Sequence, residues 1–130
     1  MTNIELVEMA RKASEKAYAP YSKFKVGAVV FAGNYEEDIR VFTGCNIENA
    51  SYGLTICAER VAIYKAVSEG YLNIYRVAVY CESDYIWFPC GLCREVIYQF
   101  NGYVDIIASN KHGEIRVKNI VQLLPEPFNL

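Results

Sequence analysis

Residues 75–109 read YRVAVYCESDYIWFPCGLCREVIYQFNGYVDIIAS, and the way strand-like and helix-like runs alternate here decides the fold. Tyr75 to Cys81 is short and rich in valine and aromatic residues, which suits a buried strand. Pro89 is placed as the first residue of a helix, where its missing N–H costs nothing, and that helix reaches Phe100 before Asn101-Gly102 closes it. Val104 to Ser109 is a second apolar strand. Strand, helix and strand in this order form a crossover unit, whose strands pair in parallel through a right-handed connection.

Upstream, Gly70 stops a helix expected from about Ile56 to Glu69, with Thr55 as its candidate cap. Lys25 to Phe31 and Ile39 to Cys45 are two β-rich runs separated by Gly33, Asn34 and acidic residues, a hairpin signature. Thr2 followed by Glu5 is a capping box, and Leu6, Met9, Ala10, Ala13 and Ala17 recur at helical spacing up to Pro20. Downstream, Asn110 to Gly113 is a turn, Glu114 to Lys118 a last strand and Asn119 to Leu124 a short helix. The order α, β, β, α, β, α, β, β, α predicts an α/β fold, a three-layer α/β/α sandwich with a mixed five-stranded sheet. The strands linked through helices are expected to pair in parallel. With no repeat or linker, 130 residues are expected to form a single domain, 1–130.

The chain is 53% hydrophobic and 22% charged, which excludes a disordered protein, and no apolar run is long enough for a bilayer. Glu5, Glu8, Arg11 and Lys12 interrupt the N-terminal segment, so it does not read as a signal peptide; the cytoplasm is the expected location, with no membrane partner. A net charge of −2 argues against a polynucleotide partner and for a small-molecule substrate. Five cysteines in a reducing compartment point to metal rather than disulfides.

Two motifs carry the chemistry, Cys57-Ala58-Glu59-Arg60 and Pro89-Cys90-Gly91-Leu92-Cys93-Arg94, each at an expected helix start. Helix N-termini favour thiolates through free N–H groups and the helix dipole. The C-x-x-C spacing lets Cys90 and Cys93 reach one ion from one helical turn, and Cys57 adds a third sulfur. Three ligands leave the fourth tetrahedral position of a zinc ion open to water, as in catalytic sites. Three thiolates more than cancel the ion's charge, so Arg60 is a candidate to hydrogen-bond a ligand sulfur. Glu59, two residues beyond Cys57, is the candidate proton shuttle. This pairing of a Cys-x-Glu with a Pro-Cys-x-x-Cys resembles the signature of zinc deaminases in their three-cysteine form.

On these two motifs, with Pro20-Tyr21-Ser22-Lys23-Phe24 and Gly44-Cys45-Asn46-Ile47-Glu48-Asn49-Ala50, almost the whole chain resembles the small homotetrameric cytidine deaminases. The resemblance implies one Zn2+ per subunit and hydrolysis of cytidine and deoxycytidine by water to uridine and deoxyuridine, as in pyrimidine salvage. It implies that Asn46 and Glu48 bind the ribose hydroxyls, that Phe24 packs against the nucleoside, that the Ala58 backbone fixes the base and that Tyr52 lines the pocket. Leu123 to Phe128 looks like the family's C-terminal segment, which implies a homotetramer in which Phe128 reaches a neighbouring subunit's site. An Asn and a carboxylate two apart on an extended segment point to the same side, as a diol requires. Glu95 departs from the family's usual Gln, and Tyr85 to Phe88 is more aromatic than expected before Pro-Cys-Gly.

The same residues admit other readings. Cys45 or Cys81 could complete a purely structural zinc site, although free cysteines are more often small buried residues. His112, in a Lys-His-Gly turn, reads as solvated, and Asn46 with Glu48 could be a strand-end turn. A polynucleotide-editing deaminase, a blasticidin-type deaminase and a non-enzymatic zinc module would share the cysteines. The first usually has His where Cys57 stands, and the Asn-Ile-Glu-Asn-Ala segment disfavours the second.

Overall fold

A computed structural model describes residues 1–130. Helix α1 (Asn3–Ser14) starts at the expected capping box: the Thr2 hydroxyl accepts from Glu5 N–H, and the Glu5 carboxylate accepts from Thr2 N–H. Strands β1 (Val26–Gly33) and β2 (Ile39–Cys45) form the antiparallel hairpin. A single 3-10 turn, Tyr52–Leu54, precedes α2 (Ala58–Ser68), which Gly70 stops at a φ of 89°, the left-handed region open to glycine. Then come β3 (Asn73–Cys81), α3 (Gly91–Phe100), β4 (Asp105–Ser109), β5 (Ile115–Asn119) and the short α4 (Ile120–Leu123).

The five strands lie in the order β2-β1-β3-β4-β5. Of the two helix-linked strand pairs, only β3 and β4 are neighbours, and they pair in parallel as expected. The connection through α2 does not join neighbours: β1 lies between β2 and β3 and is antiparallel to both, which corrects the expected parallel pairing there. A hairpin partner claims one edge of β1 locally, and the long-range partner β3 takes the other.

The sheet is covered on both faces, giving the three layers. On one face Leu6 and Ala10 of α1 pack on Val29, Ala78, Tyr80 and Ile107. On the other, Ala62, Ile63 and Ala66 of α2 and Ile97 of α3 pack on Ala28, Val30, Val77, Val79 and Ile106. Burying an aliphatic side chain of this size contributes roughly 1.5–3 kcal/mol. Two glycines set how closely the helices approach. A Cβ on Gly27 would lie 1.9 Å from the Ala10 carbonyl oxygen, and one on Gly44 would lie 2.4 Å from that of Ala58. Gly44 thus seats the first turn of α2 directly on β2.

Candidate active site and metal centre

Cys57 is the N-cap of α2, with φ −76° and ψ 153°; Cys90 is the N-cap of α3, with φ −64° and ψ 168°. This moves each expected start by two residues: the cap from Thr55 to Cys57, and the first residue of α3 from Pro89 to Gly91. The Thr55 hydroxyl instead accepts from Asn49 N–H at 3.0 Å, bracing the loop before the helix. Neither cysteine caps its helix through its side chain. Both sulfurs therefore stay available, while the unpaired first-turn N–H groups supply positive potential.

The three expected ligands meet. Sγ of Cys57, Cys90 and Cys93 all lie within 4.8 Å of one another, and Cys57 and Cys90 are 3.7 Å apart. Two thiolates at 2.3 Å from one tetrahedral zinc lie about 3.8 Å apart, so the cluster has the right dimensions. Arg60 Nη2 donates to Cys57 Sγ at 3.5 Å, while its Nε is buried without a partner. An unneutralised guanidinium belongs beside a cluster of excess negative charge. Hydrogen bonding from Cys93, with Arg60 and Cys90 also contributing, pulls the Cys57 thiol down to about 5, while hydrogen bonding to Cys57 and burial push Cys93 up. Neighbouring thiols that share a proton titrate in this split way, and a dication replaces the protons.

Cys45 and Cys81 do not join the cluster. Cys81 is 5% exposed, and burial pushes its thiol up to about 11, so it stays a neutral apolar residue. His112 lies in the turn between β4 and β5, outside the sulfur cluster, with Nε2 2.8 Å from Asp84 Oδ1 on the surface. Glu95 is exposed on α3.

Glu59 occupies the first turn of α2 at 4% exposure. Burial, then the neighbouring Cys57 charge, push its carboxyl up to about 7. It lines a cavity of about 370 Å³ together with Cys57, Ala58, Phe24, Asn46 and Glu48. Of the expected substrate residues, four share this space with Glu59. The other two do not: Tyr52 is 91% exposed and lines an adjoining groove, and Phe128 is 74% exposed in the C-terminal tail.

The segment carrying Asn46 and Glu48 is held by isolated bridges, Tyr18 with Ile47 and Ile47 with Ile56. Glu48 Oε1 accepts from the N–H groups of Tyr21 and Ser22 at 3.0 and 3.1 Å. The Ser22 hydroxyl first, then these amides, hold its carboxyl below the usual range. Asn46 Oδ1 accepts from Val26 N–H at 2.9 Å and Nδ2 donates to the Phe24 carbonyl at 2.8 Å. The amide therefore places Phe24, and each of its ends retains one hydrogen-bonding position.

Val26, Thr55, Ile56, Val79, Cys81, Trp87 and Phe88 complete the cavity. The alternation of Val77, Val79 and Cys81 along β3 could have assigned those three to one face. Nothing local marks Trp87 and Phe88 as wall residues except their place just before Pro89.

The model of the cytidine and deoxycytidylate deaminase zinc-binding region matches residues 1–109. A cytidine deaminase of Sporosarcina psychrophila is 43% identical over 126 residues, covering 96% of this chain and 90% of that protein. A probable cytidine deaminase of Dictyostelium discoideum is 41% identical over 95% of this chain and 81% of its own length. Among solved structures, the cytidine deaminase from Burkholderia pseudomallei superposes with a TM-score of 0.90 at 44% identity, covering 98% of this chain and all of that one. The enzyme from Mycobacterium tuberculosis gives 0.81 at 36%, covering 97% and 96%. Sequence, fold and the three-sulfur cluster agree, and the chain belongs to the zinc-binding cytidine and deoxycytidylate deaminase family.

Proposed function

We propose that residues 1–130 act as one catalytic domain that hydrolyses cytidine and deoxycytidine to uridine and deoxyuridine with release of ammonia. The observation that carries this reading is the single cavity in which buried Glu59, the Cys57 end of the thiol cluster and the Asn46–Glu48 pair all open. Cys57, Cys90 and Cys93 would hold zinc, which when bound lowers the pKa of a water and so supplies a nucleophile near neutral pH.

The protein's own groups carry the protons. Glu59 takes one from the attacking water as the C4–O bond forms and delivers it to N3 of the ring. The C4–N bond then breaks, with the proton for the leaving amine passing through the same carboxyl. A carboxyl held near neutrality is suited to both directions of transfer. The Ala58 backbone fixes the base and Phe24 packs on the nucleoside. Glu48, with Oε1 engaged by Tyr21 and Ser22, offers Oε2 to a ribose hydroxyl, and Asn46 offers its remaining position.

No helix is long and apolar enough to cross a membrane; the cytoplasmic location we propose is supported by the five free cysteines, which suit a reducing compartment. We propose assembly as a homotetramer, as the family resemblance implies; the exposed position of Phe128, outside both cavities of its own subunit, supports it. Tyr52 and Leu92, also exposed, line the adjoining groove and would be covered. Sedimentation showing an active monomer would refute the shared site.

The test is ultraviolet loss of cytidine with matched ammonia release, beside deoxycytidine, cytosine, a short single-stranded oligonucleotide and blasticidin S. Turnover of the free nucleosides alone supports the proposal; turnover only of the oligonucleotide or blasticidin overturns the substrate. Glu59→Gln should fold and bind zinc while losing turnover by orders of magnitude.

A further inference from the structure

A flat pyrimidine ring needs a flat partner, and the cavity offers three aromatic side chains, Phe24, Trp87 and Phe88. They are not equally free. Arg116 and Lys118 of β5 stand 5.6 Å from the centre of the Phe88 ring, which also packs on the buried core. Phe88 is therefore supporting structure. Trp87 is 57% exposed, and its indole is held at one edge: Nε1 donates to Ser83 Oγ at 3.3 Å, and the Tyr85 ring meets it edge-on at 6.0 Å.

The segment bearing Trp87 is held from below. Ser83 is 7% exposed, and its Oγ also accepts from Tyr85 N–H at 3.1 Å. The turn between β4 and β5 grips the same segment: Asn110 Nδ2 donates to the Asp84 carbonyl at 2.8 Å and Lys111 N–H to the Ser83 carbonyl at 3.2 Å. Lys111 Nζ and His112 Nε2 both reach Asp84 Oδ1. Three residues after Trp87 the chain reaches Cys90 of the thiol cluster. An indole fixed by its edge, part of the cavity wall and tied in sequence to the metal loop is a preorganised plane.

We propose that Trp87 is a substrate-binding residue whose indole stacks on the pyrimidine base and makes base planarity a determinant of affinity. This rests on the deaminase reading above. Because the base is flat in the substrate and loses that flatness as C4 becomes tetrahedral, the stack holds the bound substrate at least as well as the transition state, so its loss raises KM and does not lower kcat. Base–aromatic stacks of this kind set a KM increase for Trp87→Ala on the order of tenfold, with Trp87→Phe restoring most of it.

Trp87 is the only tryptophan in the chain, so emission from the wild-type enzyme reports on this side chain alone. The experiment titrates zinc-loaded wild-type protein with the product uridine, with 5,6-dihydrouridine, whose ring is not aromatic, and with ribose, and measures KM and kcat for cytidine in Trp87→Ala and Trp87→Phe. Expected are saturable quenching by uridine at its inhibitory concentrations, none by ribose, and inhibition by dihydrouridine that Trp87→Ala leaves unchanged. Normal turnover with emission unmoved by inhibitory uridine, or with KM unchanged in Trp87→Ala, overturns the role of Trp87 and leaves the deaminase reading standing. Absence of turnover on every pyrimidine nucleoside overturns both.

Discussion

Replacing Gly44 by alanine adds one methyl group at the point where β2 carries the start of α2. The new Cβ would sit 2.4 Å from the Ala58 carbonyl oxygen, 2.6 Å from Ala62 N and 3.0 Å from Val61 Cβ, two of them backbone atoms that no rotamer change can move. The first turn of α2 must shift, taking Cys57, Ala58 and Glu59 with it. Overpacking of this kind costs about 1–3 kcal/mol, and contact with backbone puts the expected value at the upper end. For a chain of this size that corresponds to a fall in Tm of roughly 10 °C. Moving one of three sulfurs should also weaken zinc by about ten- to a hundredfold, as other changes around a metal do. The assays are thermal unfolding with saturating zinc and competition against a chromogenic chelator. Gly53→Ala is the control, since nothing lies within 4 Å of its added Cβ. A Gly44→Ala protein with Tm and zinc affinity equal to those of the Gly53→Ala protein would refute the claim that this contact seats the metal site.

Stripping zinc with a chelator should abolish deamination and lower Tm, and zinc in thousandfold excess over its Kd should restore about 4 kcal/mol of stability, read by calorimetry. Because Glu48 is held below the usual carboxylate range, it stays ionised from weakly acidic pH upward. The ribose contribution to KM should then be flat between about pH 6 and 9, and Glu48→Gln should raise KM there uniformly. The same shift contributes stability that is present above the ordinary glutamate pKa and lost as pH falls through the lower folded value. Glu48→Gln should therefore lose that acid-side dependence, as measured by denaturant unfolding across pH.

Legibility followed the range of the interactions concerned. The capping box of Thr2 and Glu5, the stop at Gly70, the hairpin and the parallel β3–α3–β4 unit each depend on residues close in sequence, and each was readable there. Cys90 and Cys93 declare themselves by spacing, and Cys57 with Glu59 by a second short motif. The N-cap of α2 is Cys57 rather than Thr55, a good cap by type, because the preceding loop engages the Thr55 hydroxyl with Asn49 N–H.

From the sequence alone came the layered α/β class, the three sulfurs, the carboxyl proposed to carry protons and the family resemblance, because helix caps, turns and short motifs are chemistry within a few residues. Only the tertiary structure decided that β1 separates β2 from β3, since strand order is a competition between distant partners for the same backbone edges. It alone engaged Asn46 in placing Phe24, left Tyr52 outside the cavity and made Trp87 part of its wall. Those assignments depend on which surfaces long-range packing leaves uncovered, and no local pattern of residues carries that information.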